Sequence, residues 1–291
     1  MPEPLSRRAF LVAGASAAVV TACSGGKSAT PSSSGRPDFT LISFSDTSVL
    51  PVGSPARVTF GLTDKEGVLL TKAPTSKLEF AVTLDGQPFG SPITATSHAE
   101  GLPRPYFPVE FTPTKPGVYE FTAQLDGTAL RIPIQLTGDP VAVPGAGQPM
   151  IPFDTPTTAD HRGVDLLCTR TPACPLHDVT LREALAGGTP TAFLISTPAY
   201  CQVAICGPVL DVLLAAAPQF PQVKMLHSEV YPSDADAKFA DADHRTAVMK
   251  AYNVFFEPVL FLARADGTIT KRIDTIFDAV ELHDALTQLT T

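Results

Sequence analysis

The chain lacks tryptophan, and only 17% of its 291 residues carry a charged side chain. Basic residues are fewer than acidic ones: the chain has 21 lysines and arginines and 29 aspartates and glutamates. Its formal net charge is therefore -8. Binding to nucleic acid needs a basic surface that neutralises phosphates, so this composition excludes a DNA- or RNA-binding protein. Hydrophobic residues make up 44% of the chain, which is enough for one or two cores and excludes a disordered tail or a fibre.

The sequence also lacks an apolar run long enough for a mature transmembrane helix. The run from Ala9 to Val20 is too short to cross a hydrocarbon core of about 30 Å. It follows Arg7-Arg8 and ends at Ala22-Cys23, an order that resembles a twin-arginine export signal with a lipobox. The resemblance implies a signal peptide over residues 1–22 and a lipid on the thiol of Cys23. We therefore expect a lipoprotein of the cell membrane, anchored on its extracytoplasmic face.

The 29 prolines and 20 glycines favour short strands, turns and linkers over a helical bundle. Residues 23–38 are rich in serine, glycine and proline and predict a flexible tether. Residues 39–138 then alternate apolar and polar side chains with a period of two, as half-buried antiparallel strands do. Asp85-Gly86 and Asp126-Gly127 predict tight turns between such strands. About seven short strands over ~100 residues predict an all-β immunoglobulin-like sandwich.

A proline-rich stretch, residues 139–160, is predicted to be the linker to a second domain, residues 161–291. There helices and strands alternate, which predicts an α/β domain with a central sheet. The predicted elements are a helix ending at Ala186, a strand over Thr191–Thr197, a helix over Cys206–Phe220, a strand over Val223–Val230, a helix over Ser233–Tyr252, a hairpin of Val259–Ala263 with Thr268–Ile273, and a closing helix over Asp278–Leu289. The acidic run Asp234, Asp236, Asp241 and Asp243 is predicted to be the solvent face of the Ser233–Tyr252 helix.

Four cysteines remain beside Cys23, and all lie in the second domain: Cys168, Cys174, Cys201 and Cys206. An exported protein keeps disulfides, so two are expected. Three connectivities exist, and short loops favour Cys168–Cys174 and Cys201–Cys206 because they cost less closure entropy. We expect the first pair to be a structural disulfide that clamps an irregular segment. The alternative is a relay that exchanges with the second pair.

The cysteines that follow the buried strand make residues 176–291 resemble the thioredoxin superfamily, in particular the membrane-anchored thiol-disulfide oxidoreductases of bacterial envelopes. Tyr200-Cys201 after the strand matches the entry to that family's active-site helix. Glu257-Pro258 before Val259–Leu262, followed by Asp266-Gly267, matches the segment that ends in the family's cis-proline. The resemblance implies an α/β thioredoxin-like domain whose partners are envelope proteins with thiols or disulfides.

The implied chemistry needs a thiolate at a helix N-terminus, which lowers its pKa, and a second cysteine that resolves the mixed disulfide. The resemblance assigns these roles to Cys201 and Cys206, with Pro258 shaping the substrate groove. Glu257 is a candidate proton acceptor there or a solvent-facing residue. The spacing departs from the family, because C-x4-C replaces C-x-x-C. A rival alignment places Cys206-Gly207-Pro208 in the family motif with the second cysteine lost.

Three other functions are alternatives to thiol-disulfide exchange. A binding protein would use the sandwich to hold an envelope partner and keep only structural disulfides. A copper carrier resembling the Sco-type chaperones would use Cys201, Cys206 and one histidine such as His227. A peroxidase is disfavoured because Pro198 stands where peroxiredoxins have threonine. The five histidines of the second domain are scattered and lack the usual zinc spacings, so no metal and no cofactor is expected.

Overall fold

The computed structural model describes residues 38–201, 204–239 and 241–291. The expected signal peptide, the lipidated Cys23 and the tether up to residue 37 lie outside these ranges. Over the described residues the fold is rich in β-structure, with twelve strands in three sheets and four α-helices. None of the helices in this part of the chain is long and apolar enough to span a bilayer.

The first eight strands form two antiparallel sheets. The three-stranded sheet has the order β1-β2-β6, and the other joins β4, β3, β7 and β8 in that order, with β5 also paired to β3. The strands are β1 (Phe39–Ser43), β2 (Ala56–Asp64), β3 (Lys77–Leu84), β4 (Gln87–Pro88), β5 (Ile93–Thr96), β6 (Phe107–Phe111), β7 (Gly117–Leu125) and β8 (Thr128–Leu136).

An aromatic core joins these two sheets. Buried and exposed side chains alternate along β3 and β7, as the period of two predicts. The ring of Phe60 on β2 lies 5.1 Å, between centroids, from those of Phe80 on β3 and Phe121 on β7. Such aromatic pairs contribute to the core beyond their burial alone.

Asp85 and Asp126 both have positive φ and are each followed by a glycine with positive φ, as a two-residue hairpin turn of type I′ requires. The two Asp-Gly turns predicted from the sequence are therefore confirmed. Tyr119, near the start of β7, donates its hydroxyl to the carbonyl of Lys115 at 2.8 Å and so fixes the turn that leads into the strand.

The remaining strands form a four-stranded sheet with the order β10-β9-β11-β12. β9 and β10 are parallel, whereas β11 is antiparallel to both of its neighbours. The elements are α1 (Leu181–Ala186), β9 (Thr191–Ile195), α2 (Cys206–Ala216), β10 (Lys224–Ser228), α3 (Ala247–Ala251), β11 (Val259–Ala263), β12 (Ile269–Asp274) and α4 (Ala279–Thr290).

Helices cover both faces of this sheet, which explains the continuous apolar runs of its central strands. Ala192 and Leu194 of β9 pack in the core that contains α2 and α4. Phe193 and Ile195 face the opposite core, which contains α1 and α3. The central strands are therefore fully buried, and Cys201 and Cys206 follow the buried end of β9.

α1 ends at Ala186, as the sequence predicts, and it begins after Thr180. The hydroxyl of Thr180 accepts a hydrogen bond from the amide of Glu183, and the Glu183 carboxylate accepts one from the amide of Thr180. This reciprocal pair is a capping box, which satisfies two backbone donors that the first turn leaves free. Gly187 ends the helix.

The predicted helix over Ser233–Tyr252 is wrong. The described residues of this stretch form two short 3-10 turns, and only Ala247–Ala251 is α-helical. The amide of Asp236 donates to the hydroxyl of Ser233, and the amide of Asp243 donates to the carboxylate of Asp241. Such local bonds compete with the helix, so the four aspartates do not form the face of one helix.

The proline-rich segment over residues 139–160 lies against β12. The amide of Met150 donates to the carbonyl of Gly267 at 2.8 Å, and that of Gly147 donates to Ile269 at 2.8 Å. The side chains of Val143 and Met150 are buried. This segment is thus part of the packed structure rather than a free spacer.

A buried ion pair joins β2 to α4. The guanidinium of Arg57 donates to both oxygens of the Glu281 carboxylate, at 2.6 and 2.7 Å. The hydroxyl of Tyr106, just before β6, donates to the same carboxylate at 2.5 Å. Further along, the ring of His98 lies 2.8 Å from the carboxylate of Asp278, the N-cap of α4. The described residues accordingly belong to one compact unit.

Candidate functional site

Cys201 and Cys206 lie together at the start of α2, beyond the end of β9. Cys206 is the first residue of α2, and its backbone amide points at the sulfur of Cys201, with 3.3 Å between N and Sγ. The amides of a first helical turn have no intrahelical partner and carry the positive end of the helix dipole. They therefore favour a negative charge on Cys201. Cys201 is partly exposed, whereas Cys206 is fully buried.

Glu257 approaches this pair from the segment before β11. Its Oε2 accepts a hydrogen bond from the thiol of Cys206, with 3.6 Å between sulfur and oxygen. Glu257 is only partly exposed, and its peptide bond to Pro258 is cis. The structure thus brings Cys201, Cys206, Glu257 and Pro258 to one end of the sheet, and Glu257 faces a cysteine rather than bulk solvent.

The electrostatics of this group favour one negative charge at a time. Burial, followed by the negative charge of Cys201, raises the pKa of Glu257 to about 8. Burial and the hydrogen bond to Cys201 raise the pKa of the Cys206 thiol well above its usual range. The raised pKa keeps Cys206 a protonated thiol, and a pKa of about 8 allows Glu257 to exchange a proton near neutral pH.

The other two cysteines lie in a second, separate group. Cys168 and Cys174 come from the irregular segment before α1, and they meet His177 from the same segment and His227 from β10. One ligand atom from each of the four residues lies within 4.8 Å of every other, and all four residues are buried. The described part of the chain contains one such group of three or more metal-ligating side chains.

The nearest atoms of this group are two ring nitrogens and a sulfur. Cys174 Sγ lies 3.1 Å from His177 Nε2 and 3.6 Å from His227 Nδ1, and the two nitrogens are 3.4 Å apart. The backbone amide of Cys174 donates to Cys168 Sγ at 3.4 Å. The hydrogen bond from Cys174, followed by those from the two histidines, lowers the pKa of Cys168.

Neither expected disulfide is formed, because the cysteines of the described residues are not at disulfide distance from one another. Cys168 and Cys174 pack against two imidazoles instead of bonding to each other. The expectation that the histidines are scattered is wrong for His177 and His227. Part of the signal was present in the spacing: His177 follows Cys174 by three residues, and Cys168 precedes Cys174 by six.

The structure does not assemble the copper-binding set of Cys201, Cys206 and His227. His227 Nδ1 is directed at Cys174, and its Nε2 lies 3.0 Å from the carbonyl oxygen of Ser196. Both nitrogens of His227 are therefore engaged away from the Cys201–Cys206 pair. This constellation gives no support to the copper carrier.

The loop after β9 contacts both cysteine groups. Ser196 meets the His227 ring through its carbonyl and its hydroxyl, at 3.0 and 3.1 Å. The backbone of the next residue, Thr197, hydrogen-bonds with Cys206 and Glu257. Ser196 thus contacts the group of Cys168, Cys174, His177 and His227, and its neighbour Thr197 contacts the group of Cys206 and Glu257.

No protein-family model matches this chain, and no curated protein matches it in sequence.

Proposed function

We propose that this protein is an extracytoplasmic, lipid-anchored thiol-disulfide exchange protein, with a thioredoxin-like part that follows an immunoglobulin-like β-sandwich. The sheet order β10-β9-β11-β12, with helices between β9, β10 and β11 and a last helix after β12, supports the thioredoxin-like assignment. Two antiparallel sheets around an aromatic core support the sandwich. The anchor at Cys23 rests on the sequence of the export signal.

One observation carries the functional proposal: the amide at the start of α2 points at the partly exposed sulfur of Cys201, with a buried thiol and a carboxylate behind it. The Cys201 thiolate attacks one sulfur of a substrate disulfide. A new sulfur–sulfur bond forms to Cys201 while the substrate bond breaks, and the electron pair leaves on the departing substrate sulfur as a thiolate.

Resolution of the mixed disulfide is the step that needs Glu257. Once Cys201 is bonded to the substrate, its negative charge is gone, and one of the causes that raise the pKa of Glu257 goes with it. Glu257 then ionises more readily and accepts the proton of Cys206. The Cys206 thiolate attacks the Cys201 sulfur, which forms the Cys201–Cys206 disulfide and releases the second substrate sulfur as a thiolate.

Capture of the intermediate tests the proposal. The reduced full chain carrying Cys206→Ser is exposed to oxidised glutathione, and the adduct is located by mass spectrometry. We expect a stable glutathione adduct on Cys201 in this variant and only a transient one in the native chain. Cys201→Ser should form none at this site.

Two results would refute the proposal. One is an equally stable adduct in the native chain and in Cys206→Ser, which would show that Cys206 does not resolve it. The other is a native Cys201–Cys206 disulfide that a donor with the reduction potential of thioredoxin, about -270 mV, cannot reduce. The pair would then be structural.

A further inference from the structure

We propose that Cys168, Cys174, His177 and His227 together bind one zinc ion. The four residues are buried, they converge on one point, and they offer two sulfurs and two imidazole nitrogens. Zinc is bound by such S2N2 sets in tetrahedral sites. The site is separate from Cys201 and Cys206, so it stands whether or not these two cysteines exchange disulfides.

The spacing of the ligand atoms agrees with this ion. Bonds of about 2.3 Å to sulfur and about 2.0–2.1 Å to nitrogen at tetrahedral angles place two ligand nitrogens about 3.3 Å apart, and a sulfur and a nitrogen about 3.6 Å apart. The structure has 3.4 Å between His177 Nε2 and His227 Nδ1, and 3.6 and 3.1 Å from Cys174 Sγ to His227 Nδ1 and His177 Nε2. All four atoms lie within 4.8 Å of one another, so closure around an ion needs shifts of about 1 Å or less.

The surroundings orient the ligands. His227 can donate the proton on Nε2 to the carbonyl of Ser196, 3.0 Å away, which leaves a lone pair on Nδ1 directed into the cluster. A ligating histidine usually has such an outer partner, since it fixes the tautomer and the ring. The amide of Cys174 donates to Cys168 Sγ and stabilises a thiolate there.

The charge and closure of the site favour a structural ion. Two thiolates balance the two positive charges of zinc, which a buried site requires. All four positions of a tetrahedral ion are filled by side chains, and no position is left for a substrate. Three ligands come from the irregular segment before α1 and one from β10, so the ion would cross-link this segment to the sheet. The Cys168–Cys174 disulfide was expected to stabilise the same segment.

The metal content of the full chain tests the site. The chain is purified reduced, saturated with Zn²⁺, freed of loose metal and analysed by elemental mass spectrometry. We expect about one zinc per chain, and X-ray absorption should give two sulfurs and two nitrogens at the distances above. Co²⁺ in place of Zn²⁺ should give the intense visible bands of tetrahedral cobalt and a thiolate charge-transfer band.

Matched variants separate this site from the exchange site. The double variant Cys201→Ser/Cys206→Ser should retain the full zinc content, whereas Cys168→Ser/Cys174→Ser should lose it. Should the second variant fail to fold, the cobalt spectrum of the native chain still decides, because it reports the ligand set directly.

Three results would overturn the proposal. They are a reduced native chain that takes up no zinc, a cobalt spectrum without thiolate bands, and loss of zinc in the Cys201→Ser/Cys206→Ser variant. In the first case, uptake of Cu⁺ by the same chain would show that the ion is copper held by thiolates.

Discussion

The two cysteine pairs of this protein are alike in sequence and different in surroundings. Cys201 and Cys206 are separated by four residues in the sequence, and Cys168 and Cys174 by five. The first pair has a helix N-terminus, a carboxylate and partial exposure. The second has two imidazoles and full burial.

The comparison shows that neighbours decide what a pair of thiols can do. A carboxylate can take a proton from a thiol but repels a second thiolate, so the Cys201–Cys206 pair suits stepwise proton and sulfur transfer. Imidazole nitrogens complete a set of metal ligands, so the Cys168–Cys174 pair suits a fixed ion. Three experiments test this contrast, in order of expected effect.

Replacement of the carboxylate should impair exchange and leave the buried cluster intact. In Glu257→Gln the side chain keeps its size but no longer accepts the Cys206 proton, and we expect resolution of the mixed disulfide to slow by about 100-fold or more. Single-turnover quenching with an alkylating agent measures its lifetime. The matched control, Glu79→Gln, lies at an exposed position of β3 and should behave like the native chain. An unchanged lifetime in Glu257→Gln would remove Glu257 from the reaction.

The same carboxylate should make stability depend on pH. The pKa of Glu257 is raised to about 8 in the folded protein from an ordinary value near 4.5. The folded state therefore holds this proton more tightly, and the resulting stabilisation is complete below pH 4.5 and is lost as the pH rises through about 8. We expect a loss of about 3–5 kcal/mol in the free energy of unfolding across this window, absent in Glu257→Gln.

Urea unfolding of both reduced proteins at the two ends of the window measures this dependence. The histidines and cysteines are the same in the two proteins. The difference between their free energies of unfolding at each pH therefore reports the contribution of Glu257. Parallel pH profiles for the native chain and Glu257→Gln would contradict the assignment.

The smallest effect is expected at the loop that the two groups share, and it presupposes the zinc site. Ser196→Ala removes the hydroxyl near His227 Nε2 but keeps the backbone carbonyl that holds the ring. Zinc affinity should fall by less than about tenfold, as measured by competition with a chelator, because one of two outer contacts remains. The exchange rate should not change. A slower exchange with unchanged zinc affinity would mean that this loop serves the first pair and not the second.

The parts of the fold that were predictable from the sequence are those that local chemistry determines. The Asp-Gly turns need positive φ, and the Thr180–Glu183 capping box needs only four residues, so both could be located from sequence alone. The helix over Ser233–Tyr252 could not be judged in this way. Its apolar spacing was helical, but the side chains of Ser233 and Asp241 accept hydrogen bonds from nearby backbone amides, which favours short turns over a helix.

The two candidate sites also differ in how far they could be predicted from the sequence. Cys201, Cys206 and Glu257-Pro258 could be selected because each follows or precedes a recognisable buried strand. The Cys168 cluster could not, since His227 lies 50 residues beyond His177 and meets it only in the folded chain, where the amide of His227 donates to the carbonyl of Leu176. Sequence spacing indicates a metal site when its ligands are local, and here one ligand depends on tertiary structure.

The contact between Arg57, Glu281 and Tyr106 has a consequence for how the chain responds to proteases. Its carboxylate is buried and receives three hydrogen bonds, all from the strands and loops that precede residue 138. Separation of the two parts of the chain would break all three of these charge-assisted hydrogen bonds. A single cut near Asp139, where the backbone is exposed, would therefore yield two fragments that stay together as a nicked protein and continue to melt as one body.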